Sequence, residues 1–311
     1  MGVKLYLIFA INGILAWSIR GQLGGWVGGF AAGFLLSVAF LTFIRPNLKV
    51  HGLNKIGVLL SAIGFMWGGE ISYGREFNLL ATSLPDSQIL AIIFCKLFLF
   101  GAAWGGIGGL GMGYLIKEKI QTNDCVVFIL MNLVWLVTLW TGFGRFIWIS
   151  FILTTILFWI GTSKHNSFKA IATFSKILAF AAGGGFLISG VFLLLSQMVY
   201  SESLREAFKL RDQILGIFIG TGSLFAQVIA RQGRSNLRTQ IALLPSEARN
   251  DGARLSYALL ICILTALAIA KEAVPKWPNK WEWSYTLMII ACGILTTELF
   301  QRKSTLRKPF S

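Results

Sequence analysis

Charge is scarce in this chain, and histidine scarcer. Charged residues make up 13% of the 311 positions, against about 25% in an ordinary soluble domain. There are two histidines, His51 and His165, both between apolar runs, so no histidine metal cluster is expected. The four cysteines, Cys95, Cys125, Cys262 and Cys292, lie in or beside apolar segments without C-x-x-C spacing. That pattern excludes a disulfide framework and a zinc knuckle. No G-x-S-x-G, H-E-x-x-H or run of carboxylates is present, so no catalytic residue, metal or cofactor is implied. The literal G-x-G-x-x-G at Gly106–Gly111 sits inside an apolar helix with no strand before it, and is not a nucleotide fingerprint.

Apolar residues are abundant: they form 55% of the chain, with mean hydropathy +0.70. Several runs reach the roughly 20 residues that a helix needs to cross a bilayer core of about 30 Å. The alternation expected of an outer-membrane barrel is missing. The predicted architecture is therefore all-α, a polytopic helical bundle forming a single transmembrane domain over 1–311. Ten spans are expected, near 5–19, 24–44, 56–73, 88–116, 125–141, 146–160, 177–199, 213–230, 255–270 and 284–300. Residues 5–44 cannot form one span, since forty helical residues measure about 60 Å. The break is predicted at Arg20-Gly21-Gln22. No A-x-A-like cleavage site precedes Arg20, so the first run is expected to be retained as a span.

The net charge is +15. Because lysine and arginine fall mostly between spans, they read as topology signals and contacts to anionic lipid, with no nucleic-acid partner. Placing the N-terminus inside puts 18 of them on the inner face and 9 on the outer, with Lys96 within a span. Both termini are then cytoplasmic, in a plasma (inner) membrane. Ser201–Asp212, with apolar residues at helical spacing among charges, is expected to lie flat at the outer interface. Weak echoes, such as Phe30-Ala31-Ala32-Gly33 against Phe180-Ala181-Ala182-Gly183, are compatible with a five-plus-five inverted repeat of 1–160 and 161–311.

Two glycine ladders dominate the pattern: Gly21, Gly25, Gly29 and Gly33, then Gly101, Gly105, Gly109 and Gly113. At four-residue spacing each forms a bare ridge on a helix, which lets another backbone approach closely. Spans two and four run the same way, so the ladders are expected to face each other. Packing within the chain, a homo-oligomer contact and a lane for substrate are the three uses of such a surface.

Ionisable residues inside spans are costly and normally partnered. By helical rise, Glu70 lies about 21 Å and Arg20 about 24 Å above the inner boundary, and Lys96 about 12 Å below the outer one. Similar depths predict one outward-facing polar cluster of Arg20, Gln22, Glu70 and Lys96, with Tyr73, Arg75, Glu76 and Arg145 at its mouth. Two or three cations around one carboxylate suit an anionic group. The expected function is a transporter or permease for a small anionic solute. The alternatives are an intramembrane enzyme acting on a lipid or lipid-linked substrate, for which Glu70 and Glu76 come nearest to an acidic pair, and a channel or structural subunit.

Overall fold

A computed structural model of the chain describes residues 3–44, 53–69, 71, 73–82, 85–116, 122–143, 146–162, 166–199 and 204–232. Among them nine α-helices follow in order: α1 (Val3–Leu23), α2 (Gly25–Ile44), α3 (Leu53–Gly68), α4 (Gly74–Thr82), α5 (Ser87–Gly113), α6 (Thr122–Thr138), α7 (Ile147–Thr162), α8 (Asn166–Val199) and α9 (Leu204–Gln232). A 3-10 turn, Tyr114–Ile116, extends α5, and a π turn, Leu139–Phe143, extends α6. The expected spans 255–270 and 284–300 lie outside the described residues.

Three stretches, Gly25–Phe43, Ser87–Ile116 and Phe168–Ser196, are long and apolar enough to cross a membrane. Ile56–Gly68, Cys125–Thr141 and Ile147–Thr162 are apolar but shorter. The chain is thus an all-α, multi-pass membrane protein, and these helices do not amount to ten crossings. Its outer surface agrees. Ile129, Leu130, Leu133, Leu157, Ile160 and Phe180 are all more than half exposed or close to it, on a scale that water would penalise and acyl chains would not.

Proline keeps out of the described helices. Pro46 follows the end of α2, and Pro85 precedes Asp86, whose carboxylate caps α5 by accepting from Ile89 N–H at 2.9 Å. The α1–α2 break falls at Gly24, not at Arg20-Gly21-Gln22. Gly24 and Gly25 take φ of 71° and 42°, a left-handed region that glycine enters without strain, while Gly24 N–H still bonds the Arg20 carbonyl at 2.9 Å. Arg20 therefore occupies the last turn of α1, where a cation complements the helix dipole.

Other boundaries also move. Helix α3 stops at Gly68 instead of continuing to 73, and the chain turns into α4, a short helix that the hydropathy did not announce. Helix α8 begins eleven residues before 177, and α9 absorbs Ser201–Asp212 from Leu204 onward. That stretch is one continuous helix with the next span from Leu204 onward, so the flat interfacial segment is corrected. Hydropathy locates the part of a helix that lipid can cover; hydrogen bonding carries the helix further.

Six helices pack in cyclic order, α1 on α2, α2 on α3, α3 on α5, α5 on α8, α8 on α9, and α9 back on α1. Helix α4 rests against α8, while α7 packs on α5 and α8 from outside and α6 on α7. Aromatic side chains fill the ring. Trp17 of α1 meets Trp104 of α5 edge to face at 4.2 Å, and Trp104 meets Phe65 of α3 at 5.0 Å. Phe40 of α2 and Phe174 of α8 meet across it at 6.2 Å. Trp17, Trp104 and Phe65 are fully buried.

The ladders do not face each other. A Cβ on Gly101 would lie 2.6 Å from the Ala182 carbonyl oxygen, one on Gly105 would strike that of Leu178, and one on Gly109 would lie 2.7 Å from Ser175 Cα. Gly113 meets Ile171 in the same register. The whole second ladder is thus an antiparallel seat for α8. Gly29 and Gly33 of the first ladder instead meet Phe65 of α3, with Cβ contacts of 2.5 Å to its carbonyl oxygen and 2.7 Å to its side chain. Gly25 opens onto empty space, and Gly21 faces Asp212 of α9. The shift follows from the break at Gly24, which puts Gly21 and Gly29 on different helices.

Candidate functional site

Arg20 reaches the site from the final turn of α1. Its guanidinium lies 4.9 Å from the centre of the Tyr73 ring, in the connection between α3 and α4. Tyr73 is buried and packs edge to face against Phe77 of α4 at 5.7 Å and Phe186 of α8 at 4.9 Å. Arg211 of α9 lies over the Phe77 ring, 4.8 Å from its centre. Its Nε and Nη2 both donate to Asp212 Oδ1, at 2.9 and 2.6 Å, and Ser189 of α8 donates to its carbonyl at 3.3 Å. Two arginines, one from α1 and one from α9, therefore contact a cluster of three aromatic rings. Such cation–ring contacts are worth about 2 kcal/mol when desolvated.

The seating of α9 on α1 explains how Asp212 gets there. Gly13 and Gly216 interlock backbone to backbone, as do Gly220 and Phe9. Asp212, Gly216 and Gly220 stand four residues apart on one face of α9. The crossing that lays Gly216 against Gly13 brings Asp212 to Gly21, whose Cβ would lie 3.0 Å from its Oδ2.

Burial pushes the Tyr73 hydroxyl above the ordinary tyrosine value; Arg20 pulls it down, Asp212 pushes it up, and Arg211 pulls it down. The phenol is therefore neutral and keeps its proton. Arg20 approaches the hydroxyl closely enough to lower that value both by its charge and as a donor, although the contact falls short of hydrogen-bond geometry. Arg20 Nε is likewise buried without a partner, as are the indole Nε1 atoms of Trp17 and Trp104. Among the described residues Arg20 enters no ion pair.

Of the eight residues singled out from sequence, the structure brings Arg20 to Tyr73 and, apart from them, Lys96 to Glu76. Lys96 pairs with Glu76 of α4 at 3.9 Å, its own side chain about half exposed at 49%. It stands as a partnered residue on the rim. Gln22 and Arg75 are exposed. Glu70 and Arg145 lie outside the described residues. Sequence reasoning missed Arg211 and Asp212, having assigned them to a surface stretch, and it missed Trp104. The signal for Asp212 was present: it stands in phase with Gly216 and Gly220. Among the described residues no three histidine, cysteine or carboxylate side chains converge as a metal site would require.

Comparison with protein-family models, with curated proteins and with solved structures finds no match for this chain, so its chemistry has to be read from this geometry.

Proposed function

We propose that the protein is a transporter or permease for a small anionic solute, which it binds at Arg20 between α1, α9 and the α3–α4 connection. One observation carries this reading: a half-buried arginine, without an ion-pair partner among the described residues, beside a neutral, buried tyrosine. Cations that serve only architecture are normally neutralised when they leave water, as Arg211 is by Asp212. Arg20 keeps its charge available for a ligand. In this reading ten spans with both termini inside a plasma membrane carry the site near the outer face, and the aromatic layer of Trp17, Trp104 and Phe65 closes the path beneath it. Anionic lipid covers the basic inner loops. The second glycine ladder is consumed by α8, which leaves the symmetric-subunit reading without that surface.

The test is anion flux in reconstituted liposomes. Arg20→Ala should abolish flux while the protein still elutes as a folded species in detergent, and Arg20→Lys should retain part of it, because a point charge replaces a fork of donors. Full flux in Arg20→Ala would remove the site assignment.

A further inference from the structure

Five tryptophans of the described helices divide into two groups. Trp67 donates its indole N–H to Asn132 Oδ1, Trp135 to Thr154 Oγ1 at 2.8 Å, and Trp159 to Ser175 Oγ at 3.0 Å. Each thus has a partner from another part of the chain. Trp17 and Trp104 are fully buried and have none. Buried N–H groups without a partner are rare, and an ion or water at the site is the usual reason. These two are not scattered. Trp17 contacts Trp104, it stands one helical turn from Arg20, and Arg20 contacts Tyr73. Four residues whose polar atoms have no hydrogen bond among the described residues thus come together as two contacting pairs, joined by one turn of α1.

Their chemistry is one-sided. An indole N–H and a guanidinium Nε–H donate and cannot accept, and the neutral Tyr73 hydroxyl has a proton to give. A water molecule among them could donate one hydrogen to the Tyr73 oxygen and would find no acceptor among these groups for the other. An anion has no such difficulty. The charges agree, because Arg211 is matched by Asp212 and Lys96 by Glu76, whereas Arg20 has no ion-pair partner among the described residues. The aromatic rings around it also present positive edges to a ligand between them.

We propose that Trp17, Arg20, Tyr73 and Trp104 form one binding site for a small monovalent anion that only accepts hydrogen bonds, of the class of a halide, nitrate or carboxylate. The doubly charged hydrogen phosphate is disfavoured, because the one guanidinium of Arg20 would face it with the Asp212 carboxylate nearby, Oδ2 lying 3.0 Å from a Cβ on Gly21. The proposal rests on the reading of this region as an anion site and extends it to the two indoles and to the type of anion.

Thermal unfolding of the purified protein in detergent tests it, titrated with sodium chloride, nitrate, acetate or phosphate at ionic strength held constant with a bulky sulfonate buffer. Chloride, nitrate or acetate should raise the melting temperature saturably, and phosphate should not. Trp17→Phe and Trp104→Phe keep the ring and delete the donor, so each should weaken the apparent affinity about tenfold or more. Trp67→Phe should lower the melting temperature without anion and leave the affinity unchanged. No saturable shift in the unaltered protein, an equal response to phosphate, or wild-type affinity in both phenylalanine variants would overturn the proposal. So would binding that appears only in Glu70→Gln, since a carboxylate of the chain itself would then be serving these donors. Flux with wild-type affinity in both variants removes the indole site and leaves the transport reading standing; saturable binding without flux does the reverse.

Discussion

The seam between α5 and α8 and the cluster around Arg20 lie in the same ring of helices and obey opposite rules. Along the seam the polar groups at the contact are paired. Four glycines seat a facing backbone, Ser175 donates to the Gly106 carbonyl at 2.7 Å, and Trp159 donates to Ser175 in turn. Around Arg20, donors are assembled and left without acceptors. A membrane interior punishes unsatisfied polar groups more heavily than water does. The seam therefore reads as architecture, and the cluster as a place built to receive something. Strain and unsatisfied groups concentrate where function requires them, at the expense of local stability.

The contrast can be broken from either side. The largest effect should come from the seam. Gly105→Leu drives a side chain into the Leu178 backbone, and α8 cannot yield without losing the neighbouring contacts. A loss of about 3 kcal/mol is expected, read by reversible unfolding in mixed micelles. A variant as stable as the parent would show that the seam is loose. Next comes Asp212→Asn, which leaves the buried Arg211 without its carboxylate. Breaking a buried pair costs roughly 3–5 kcal/mol, and the 17% exposure of the Asp212 side chain places the expectation near the lower figure. Its effect should fall on the melting temperature and on flux together, since the pair sits beside Tyr73. The smallest effect belongs to Lys96→Ala. A half-exposed pair at 3.9 Å should contribute about 1 kcal/mol or less, with flux near that of the parent. A flux loss as deep as that of Arg20→Ala would return Lys96 to the binding site.

Much of the fold could be read from the residues. Helical class and a membrane setting follow from 13% charge and 55% apolar composition, and eight of the ten expected spans each contain a helix among the described residues. Helix ends were less legible, since Arg211 and Asp212 look like surface charge until they are seen to neutralise each other. Arg20 was conspicuous because it is a lone cation at the end of an apolar run. Trp104 was not, being one aromatic among many in an apolar helix. Nothing in its neighbours reveals that its indole proton lacks an acceptor.

Composition and spacing by themselves determined that this chain is helical and crosses a membrane, that bare glycine ridges seat helices, and that Arg20 is costly to bury. Those properties depend on single side chains or on one helix at a time, and so are written locally. Which helix each ridge meets, and which buried donors end without partners, was decided only when the six helices closed into a ring. A glycine ridge accepts any backbone that reaches it, and an N–H becomes an orphan only through what its neighbours fail to offer; both are properties of pairs, which a single strand of letters does not contain.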